Sequence, residues 1–138
     1  MKVHFIIPGK PVGKARPRMS KKTGKAFTPK STKMAEYKIK KIYKKEVDRY
    51  FEGAVKVSII AYYQIPKSNT KRVKEQKIKN VIRPFNIKPD ADNLAKLVLD
   101  SINEIAYKDD TQVVSLNIEK YYAEEPRVEV FIEEIKGD

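Results

Sequence analysis

The sequence contains no cysteine and no tryptophan, and its single histidine is His4. The absence of cysteine excludes disulfides, thiolate metal sites and cysteine nucleophiles. One histidine cannot build a two-histidine zinc site, and it makes a Ser-His-Asp triad improbable, so we interpret His4 as a structural strand residue. Any metal ion must then be held mainly by oxygen, which favours magnesium, manganese or calcium.

Long apolar runs are also missing from the 138 residues. The uninterrupted apolar stretches are far shorter than the roughly 20 residues of a membrane-spanning helix. Residues 2–7 begin directly with a strand pattern and carry no signal-peptide features. The length suits one domain over residues 1–138, and a hydrophobic fraction of 41% is enough for a core. We therefore expect no membrane partner. A small-molecule substrate is not expected either.

Acidic residues are scarce in the first two thirds of the chain. Residues 1–89 hold 25 Lys and Arg against 5 Asp and Glu, whereas residues 90–138 hold 5 against 13. The net charge of +12 and pI of about 9.7 are typical of a protein that binds a polyanion. The other interpretation is that the lysines only keep the protein in solution. The asymmetry favours a phosphate-binding part followed by a carboxylate-bearing part.

The hydrophobic pattern predicts an α/β (α+β) protein in which helices pack on one side of a mixed sheet. Strands are predicted at residues 2–7, 54–65, 112–122 and 127–135, and helices at residues 32–51 and 92–106. Ser31 or Thr32 is the expected cap of the first helix. The last two strands are expected to form an antiparallel hairpin across residues 124–126.

Two basic segments have weaker patterns. Within residues 9–30, a Thr23-Gly24 turn predicts a short hairpin with arms at 18–19 and 26–28. Residues 66–82 fit either a short exposed helix or a basic loop. Four tyrosines are predicted to lie on strands: Tyr62, Tyr63, Tyr121 and Tyr122. They could stack on nucleobases, but aromatic residues on strands more often belong to the core.

Two pairs of aspartates flank the second predicted helix. Asp90 and Asp92 lie where it begins, and such acids often cap helices and complement the dipole. Asp109 and Asp110 follow its end, where aspartates often form turns. If the pairs meet, their repulsion calls for a divalent cation, and carboxylate sites suit magnesium. A helix of this length is on the order of 20 Å long, so they meet only if the following chain runs back along it.

Lys96 lies four residues after Asp92, on the same face of the predicted helix. It either neutralises a phosphate in the transition state or forms an ordinary ion pair with Asp92. Asp100 lies one turn further and either supports Lys96 or is a solvated acid.

These residues resemble a known family. Residues 88–102, which read K-P-D-A-D-N-L-A-K-L-V-L-D-S-I, are similar to the D-x-D-N-L-x-K-x-x-x-D core of the RusA-type Holliday junction resolvases. Residues 109–114, D-D-T-Q-V-V, follow at that family's spacing, and residues 124–130 look like its closing strand. The resemblance covers nearly the whole chain and is strongest from 88 to 130.

The resemblance implies a homodimeric fold that resolves four-way DNA junctions in recombination and repair by symmetric, metal-dependent phosphodiester hydrolysis. Magnesium is the implied metal, and manganese is expected to substitute. The family's catalytic and metal-binding acids fall on Asp90, Asp92 and Asp110, and its essential lysine falls on Lys96. Asp109 matches an adjacent acid of secondary role. The implied location is the bacterial cytoplasm.

The N-terminal basic segment is more similar to phage-associated relatives from Gram-positive bacteria, which suggests a prophage origin. It is not a P-loop, because Gly9 and Gly13 are one residue too close and Ala15 replaces the magnesium-binding Ser or Thr. We interpret it as a DNA contact rather than a solvated loop. A second contact is expected between residues 67 and 83, where a solvated face fits equally well. The expected contacts are Lys10, Lys14, Arg16, Arg18, Lys71, Arg72 and Lys74.

Two other functions fit the sequence less well. One is a nuclease of broader branched-DNA specificity. The other is a non-catalytic DNA-binding module in which the acids only cap and turn the chain.

Overall fold

The computed structural model describes residues 1–136. It is a mixed α+β fold, as predicted. The strands are β1 (Lys2–Pro8), β2 (Arg18–Met19), β3 (Ala26–Phe27), β4 (Val55–Gln64), β5 (Val113–Ala123) and β6 (Arg127–Glu134). The helices are α1 (Lys30–Glu46), α2 (Lys71–Ile78) and α3 (Ala91–Ser101), with a short 3₁₀ helix at Asp110–Gln112.

The main sheet has the strand order β1-β6-β4-β5. Strand β4 runs parallel to β5 and antiparallel to β6, which also pairs antiparallel with β1. The prediction that β5 and β6 form a hairpin is therefore wrong, because β4 lies between them. Strand β6 is fully buried on one face and takes the central place, whereas β5 lies at the edge, where Val114 is 62% and Leu116 44% exposed.

Helices α1 and α3 contact each other, and their apolar faces complete the core on one side of the sheet. Along β4, buried core residues alternate with more exposed residues. This period of two is expected of a strand in a sheet that buries one face. Its fully buried side chains include Tyr43, Val57, Ile59, Leu94, Ile102, Tyr107 and Val130.

The first helix differs from the prediction at both ends. Pro29 occupies the cap position, and Thr32, one of the two expected caps, is buried inside the helix. The helix ends at Glu46 because Asp48 adopts a positive φ of 50°, which no α-helix accommodates. Phe51 then donates a backbone hydrogen bond to Ala106 instead of continuing the helix.

The segment predicted as either a helix or a loop contains α2. The Thr70 hydroxyl accepts a hydrogen bond from the backbone N–H of Val73, which caps the helix start. Helix α3 ends at Ser101, earlier than predicted, since the chain turns through Glu104 at a positive φ. The short hairpin predicted in the N-terminal segment is confirmed by the pairing of β2 with β3. Within residues 1–136 no helix has the length and hydropathy needed to span a membrane.

Replacing Ile59 by alanine tests the core. Ile59 is completely buried at the centre of β4, so Ile59→Ala is expected to lower the free energy of unfolding by about 2–5 kcal/mol. Ile78→Ala removes the same side chain where it is 51% exposed and is expected to change stability by no more than about 0.5 kcal/mol. Urea denaturation measures both. Equal effects of the two substitutions would contradict this assignment of the core.

Candidate active site

Asp90 and Asp92 lie at the start of α3, as predicted. Asp90 takes the cap position, but its side chain accepts no hydrogen bond from the helix; only its backbone carbonyl does, from Leu94. Its carboxylate instead lies 3.2 Å from the Lys88 ammonium, and both groups are exposed. Asp92, in the first turn, is also exposed. The capping interpretation of Asp90 is therefore wrong as far as its side chain is concerned, and both carboxylates face solvent.

Lys96 is exposed on α3, one turn after Asp92. The ordinary ion pair between these two residues is not among the ion pairs of residues 1–136. Asp100 does not support Lys96 either, because its carboxylate pairs with Lys14. The Lys96 ammonium is thus available to an external anion.

The N-terminal basic segment packs directly on the start of α3. The backbone N–H of Lys14 donates to the carbonyl of Asn93 at 2.9 Å. Gly13 lies so close to the helix that a Cβ built there would be 2.6 Å from the Pro89 Cβ and 3.2 Å from the Asn93 Cβ. Only glycine permits this approach. The segment therefore lies against the turn that carries Asp90.

Two further contacts hold the same segment in place. The Lys14 ammonium forms an ion pair with Asp100, and this hydrogen-bonded carboxylate raises the pKa of Lys14 above its ordinary value. The hydroxyl of the buried Thr32 accepts a hydrogen bond from the backbone of Ala15. Lys14 is therefore engaged within the protein, while Lys10, Arg16 and Arg18 are exposed.

The second set of expected DNA contacts lies on α2. Lys71 and Arg72 are exposed and Lys74 is partly buried. Lys77, on the same helix, is buried: its ammonium donates to Asn69 Oδ1 at 2.6 Å and lies 4.3 Å from the centre of the Tyr122 ring.

Asp109 and Asp110 form the turn before β5. Gln112 organises this turn, since its Oε1 accepts from the backbone of Lys108 at 2.8 Å and of Asp109 at 3.3 Å. Its Nε2 donates to the carbonyls of Phe51 and Gly53, which precede β4. The Thr111 hydroxyl lowers the pKa of Asp109 by hydrogen bonding to its carboxylate. Asp109 is thus part of the turn structure.

The surroundings of two largely buried tyrosines, Tyr63 and Tyr107, show where each pair of acids lies in the fold. The Tyr63 hydroxyl, near the end of β4, donates to the carbonyl of Pro89 at 3.2 Å, and burial followed by the charge of Asp90 raises its pKa to about 12. Burial, followed by the charges of Asp110 and Asp100, raises the pKa of Tyr107. Tyr107 donates to Leu99 near the end of α3.

The two pairs therefore belong to opposite ends of the parallel β4–β5 pair. Val113, just after the Asp110 turn, pairs with Val55, whereas Tyr63 lies eight residues further along β4, a distance of about 26 Å along a strand. No group of three or more His, Cys, Asp or Glu side chains within residues 1–136 is arranged to hold a metal ion. One chain thus presents Asp90 and Asp92 without the third acid.

Four residues shape this region through contacts that the sequence pattern did not predict: Gly13, Tyr63, Lys77 and Gln112. Gly13 and Gln112 were visible only as parts of motifs, the G-K-P-V-G segment and D-D-x-Q. Their roles depend on contacts with residues about 60 to 80 positions away that local spacing does not encode.

A basic chain segment that packs beside exposed carboxylates at a helix start is compatible with a protein that acts on phosphodiesters. Comparison with known families agrees: the sequence model described as endodeoxyribonuclease RusA matches residues 8–133. The chain belongs to the RusA endodeoxyribonuclease family. It is also similar to the uncharacterized protein YqaN of Bacillus subtilis (strain 168), with 39% identity over 140 residues and 98% of both chains covered.

A Cβ at Gly13 tests the packing of the basic segment. Gly13→Ala is expected to lower the free energy of unfolding by about 1–3 kcal/mol, because the new methyl group has no room against Pro89 and Asn93. Gly53→Ala is the matched control, since a Cβ there meets nothing within 4 Å. Urea denaturation measures stability, and limited trypsin digestion after Lys14 and Arg18, neither of which is followed by proline, reports whether the segment has detached. A Gly13→Ala protein as stable and protease-resistant as the control would contradict the close approach.

Proposed function

We propose that this protein is a structure-specific endodeoxyribonuclease that resolves four-way DNA junctions in recombination and repair. The observation that carries the proposal is the clamp of the N-terminal basic segment onto the turn bearing Asp90 and Asp92. A phosphate backbone attracted to this segment comes within reach of both carboxylates. Membership of the RusA family supports the nuclease assignment, and we propose that the protein acts on DNA in the bacterial cytoplasm.

The exposed acids suit a magnesium ion, which manganese can replace, because hard cations prefer carboxylate oxygen. When bound, such an ion lowers the pKa of water and stabilises the leaving oxygen. Asp90, Asp92 and Asp110 are the proposed ligands. Lys96 is proposed to neutralise charge that develops on the phosphate, since its ammonium is exposed beside Asp92 and engaged by no acid of residues 1–136.

Phosphates away from the scissile bond are proposed to contact the exposed cations Lys10, Arg16, Arg18, Lys71 and Arg72, with Lys74 in a lesser role. The sequence predicts that Lys14 binds phosphate, but we propose a structural role for it. Its ion pair with Asp100 orients the segment, and its charge is already balanced.

A homodimer offers a way to complete the site. The third acid lies at the far end of the β4–β5 pair in its own chain, so a second copy related by two-fold symmetry is proposed to place its Asp110 beside Asp90 and Asp92. Val114 and Leu116 support this arrangement, because they expose apolar surface immediately after the Asp110 turn. A two-fold dimer then presents two equivalent sites, which matches the symmetry of a four-way junction.

One observation favours a second candidate function, a DNA-binding protein without catalysis. The absence of a three-acid cluster within residues 1–136 of a single chain is what such a protein would show. A nuclease that also cuts other branched DNA is a variant of the first proposal. Cleavage assays on junctions, forks and matched duplexes separate the three.

Asp90→Asn tests the nuclease. In magnesium, the protein is expected to nick a synthetic four-way junction at symmetric positions, and Asp90→Asn is expected to reduce the rate by roughly 100-fold or more, the size of effect that one electrostatic group has at a catalytic site. Junction affinity should remain, since the substitution removes no cation. Gel electrophoresis of labelled junctions measures cleavage, and mobility shift measures binding.

Asp48→Asn is the matched control, because Asp48 is an exposed acid in the loop after α1 whose positive φ asparagine also tolerates. Asp48→Asn should cleave at the wild-type rate, and chelation of the metal with EDTA should abolish cleavage by the wild type and by Asp48→Asn. Full activity of Asp90→Asn would refute the assigned site, and tight binding without cleavage by the wild type in magnesium or manganese would favour the non-catalytic alternative.

Mixed dimers test the shared site. If each site takes Asp90 from one copy and Asp110 from the other, a dimer of one Asp90→Asn chain and one Asp110→Asn chain carries both substitutions in one site and none in the other. Such dimers, purified by two different affinity tags, should nick one strand, whereas each variant alone stays inactive. If every site lay within one chain, both sites of the mixed dimer would be defective, and no activity would return.

A further inference from the structure

A pocket of about 300 Å³ opens at the end of the β4–β5 pair, beside the turn that carries Asp90. The neighbouring tyrosines Tyr63 and Tyr122, which pair across the two strands, line it together with Ile87, Gln64 and Lys10. Among residues 1–136, no acidic side chain contributes to its lining. Its volume is at the lower end of the roughly 300–1,000 Å³ that small organic ligands occupy, so it suits a flat ring rather than a large molecule.

One lysine ammonium lies near each of the two tyrosine rings, Lys77 near Tyr122 and Lys120 near Tyr63. Lys77 is only 8% exposed, and its ammonium is held by Asn69 and the Tyr122 ring, with no carboxylate in ion-pair range among residues 1–136. Lys120 donates to the carbonyl of Ile87 at 2.7 Å and lies 5.4 Å from the centre of the Tyr63 ring. A buried ammonium without an acid is costly unless an anion or a π system compensates it. The Tyr122 ring supplies that compensation for Lys77, so the pocket itself offers two aromatic rings and one lining cation, Lys10, which suits an aromatic ligand joined to a phosphate.

The pocket and the acids share one chain segment. Ile87 lines the pocket, and three residues later Asp90 begins the candidate active site. The hydrogen bond from Tyr63 to the carbonyl of Pro89 joins the pocket wall to this segment. A DNA strand whose backbone passes Asp90 therefore has its neighbouring bases within reach of the pocket.

We propose that this pocket takes one unstacked nucleobase of the strand that the acids engage, with Lys10 close to the adjoining phosphate. The proposal rests on the proposed function and adds to it a base-binding site. Bases at a branch point have lost part of their stacking, so they leave the helix at lower cost than bases within a duplex. Stacking on tyrosine compensates the remaining cost and tolerates any base.

The tyrosines on the opposite face of the same strands show a contrasting arrangement. Tyr62 and Tyr121 stack on each other with 6.1 Å between ring centres. Guanidinium groups already cover them, Arg127 at 4.0 Å from the Tyr62 ring and Arg83 at 3.8 Å from the Tyr121 ring. Neither of these rings lines the pocket, which makes Tyr121 the matched control for Tyr122.

The experiment combines protein variants with a junction that lacks one base. Fluorescence anisotropy measures the affinity of four-way junctions without magnesium, each with a single abasic position moved stepwise from the branch point. One abasic position is expected to weaken wild-type binding by roughly 5- to 100-fold, the range of one base–aromatic stack. Tyr122→Ala should weaken binding of the intact junction by a similar factor and be insensitive to that abasic position.

Tyr122→Phe should bind as the wild type does, because it keeps the ring, and Tyr121→Ala should keep the wild-type response to the abasic position. Thermal denaturation checks that the variants are folded. If Tyr122→Ala is not, Tyr122→Leu replaces it, since leucine fills the space without an aromatic face, and the same loss is expected.

The outcomes separate the two proposals. Wild-type protein that cleaves junctions in magnesium but is indifferent to every abasic position would overturn the base pocket and leave the nuclease intact. Equal losses in Tyr121→Ala and Tyr122→Ala would overturn it as well. Wild-type protein that neither binds nor cleaves a junction would overturn both.

Discussion

The arrangement of the functional groups depends on one close contact, that of Gly13 with Pro89 and Asn93. This contact brings a segment rich in lysine and arginine onto the start of α3, where the exposed acids lie. The Lys88 ammonium lies 3.2 Å from the Asp90 carboxylate, so positive charge adjoins this turn from Lys88 as well as from the basic segment. The hydrogen bond from Lys14 to Asn93 and the ion pair with Asp100 keep the contact in register. A side chain at residue 13 would separate phosphate binding from the acids.

Helix α3 also determines which of the aspartates lie close together within one chain. It holds Asp90 and Asp92 at one end, and the chain that follows it returns to the start of β4 before the Asp110 turn. Gln112 fixes that turn by four hydrogen bonds, so a rearrangement that carried Asp110 to the other end would break them all. Association of two copies requires no such loss, and burial of Val114 and Leu116 would favour it. For a site that needs three acids, the rigid turn at Asp110 therefore favours the proposal that the third acid comes from a second copy of the chain.

Much of the fold follows from local pattern. The alternation in β4 and the apolar stripe of α3 predict both elements, because burial on one face imposes periods of 2 and 3.6. The order of the strands does not follow, since β5 and β6 alternate equally well whether they pair with each other or with β4. Helix ends depend on single backbone angles, as at Asp48 and Glu104. The family motif predicts roles for Asp90, Asp92, Asp110 and Lys96, but spacing along the chain carries no information about which of them lie close together, because that depends on the geometry of the whole sheet.

The same limitation explains why the aromatic pocket is not evident in the sequence. Tyr62-Tyr63 and Tyr121-Tyr122 are two identical dipeptides on adjacent parallel strands, and the period of the strand sends one member of each to either face. On one face, an arginine guanidinium lies over each ring. On the other face, Lys77 lies over the Tyr122 ring, and the pocket is lined by Tyr63 and Tyr122. The two identical dipeptides therefore acquire different surroundings from residues distant in sequence, and on the pocket face Tyr63 is also bonded to the segment that carries Asp90.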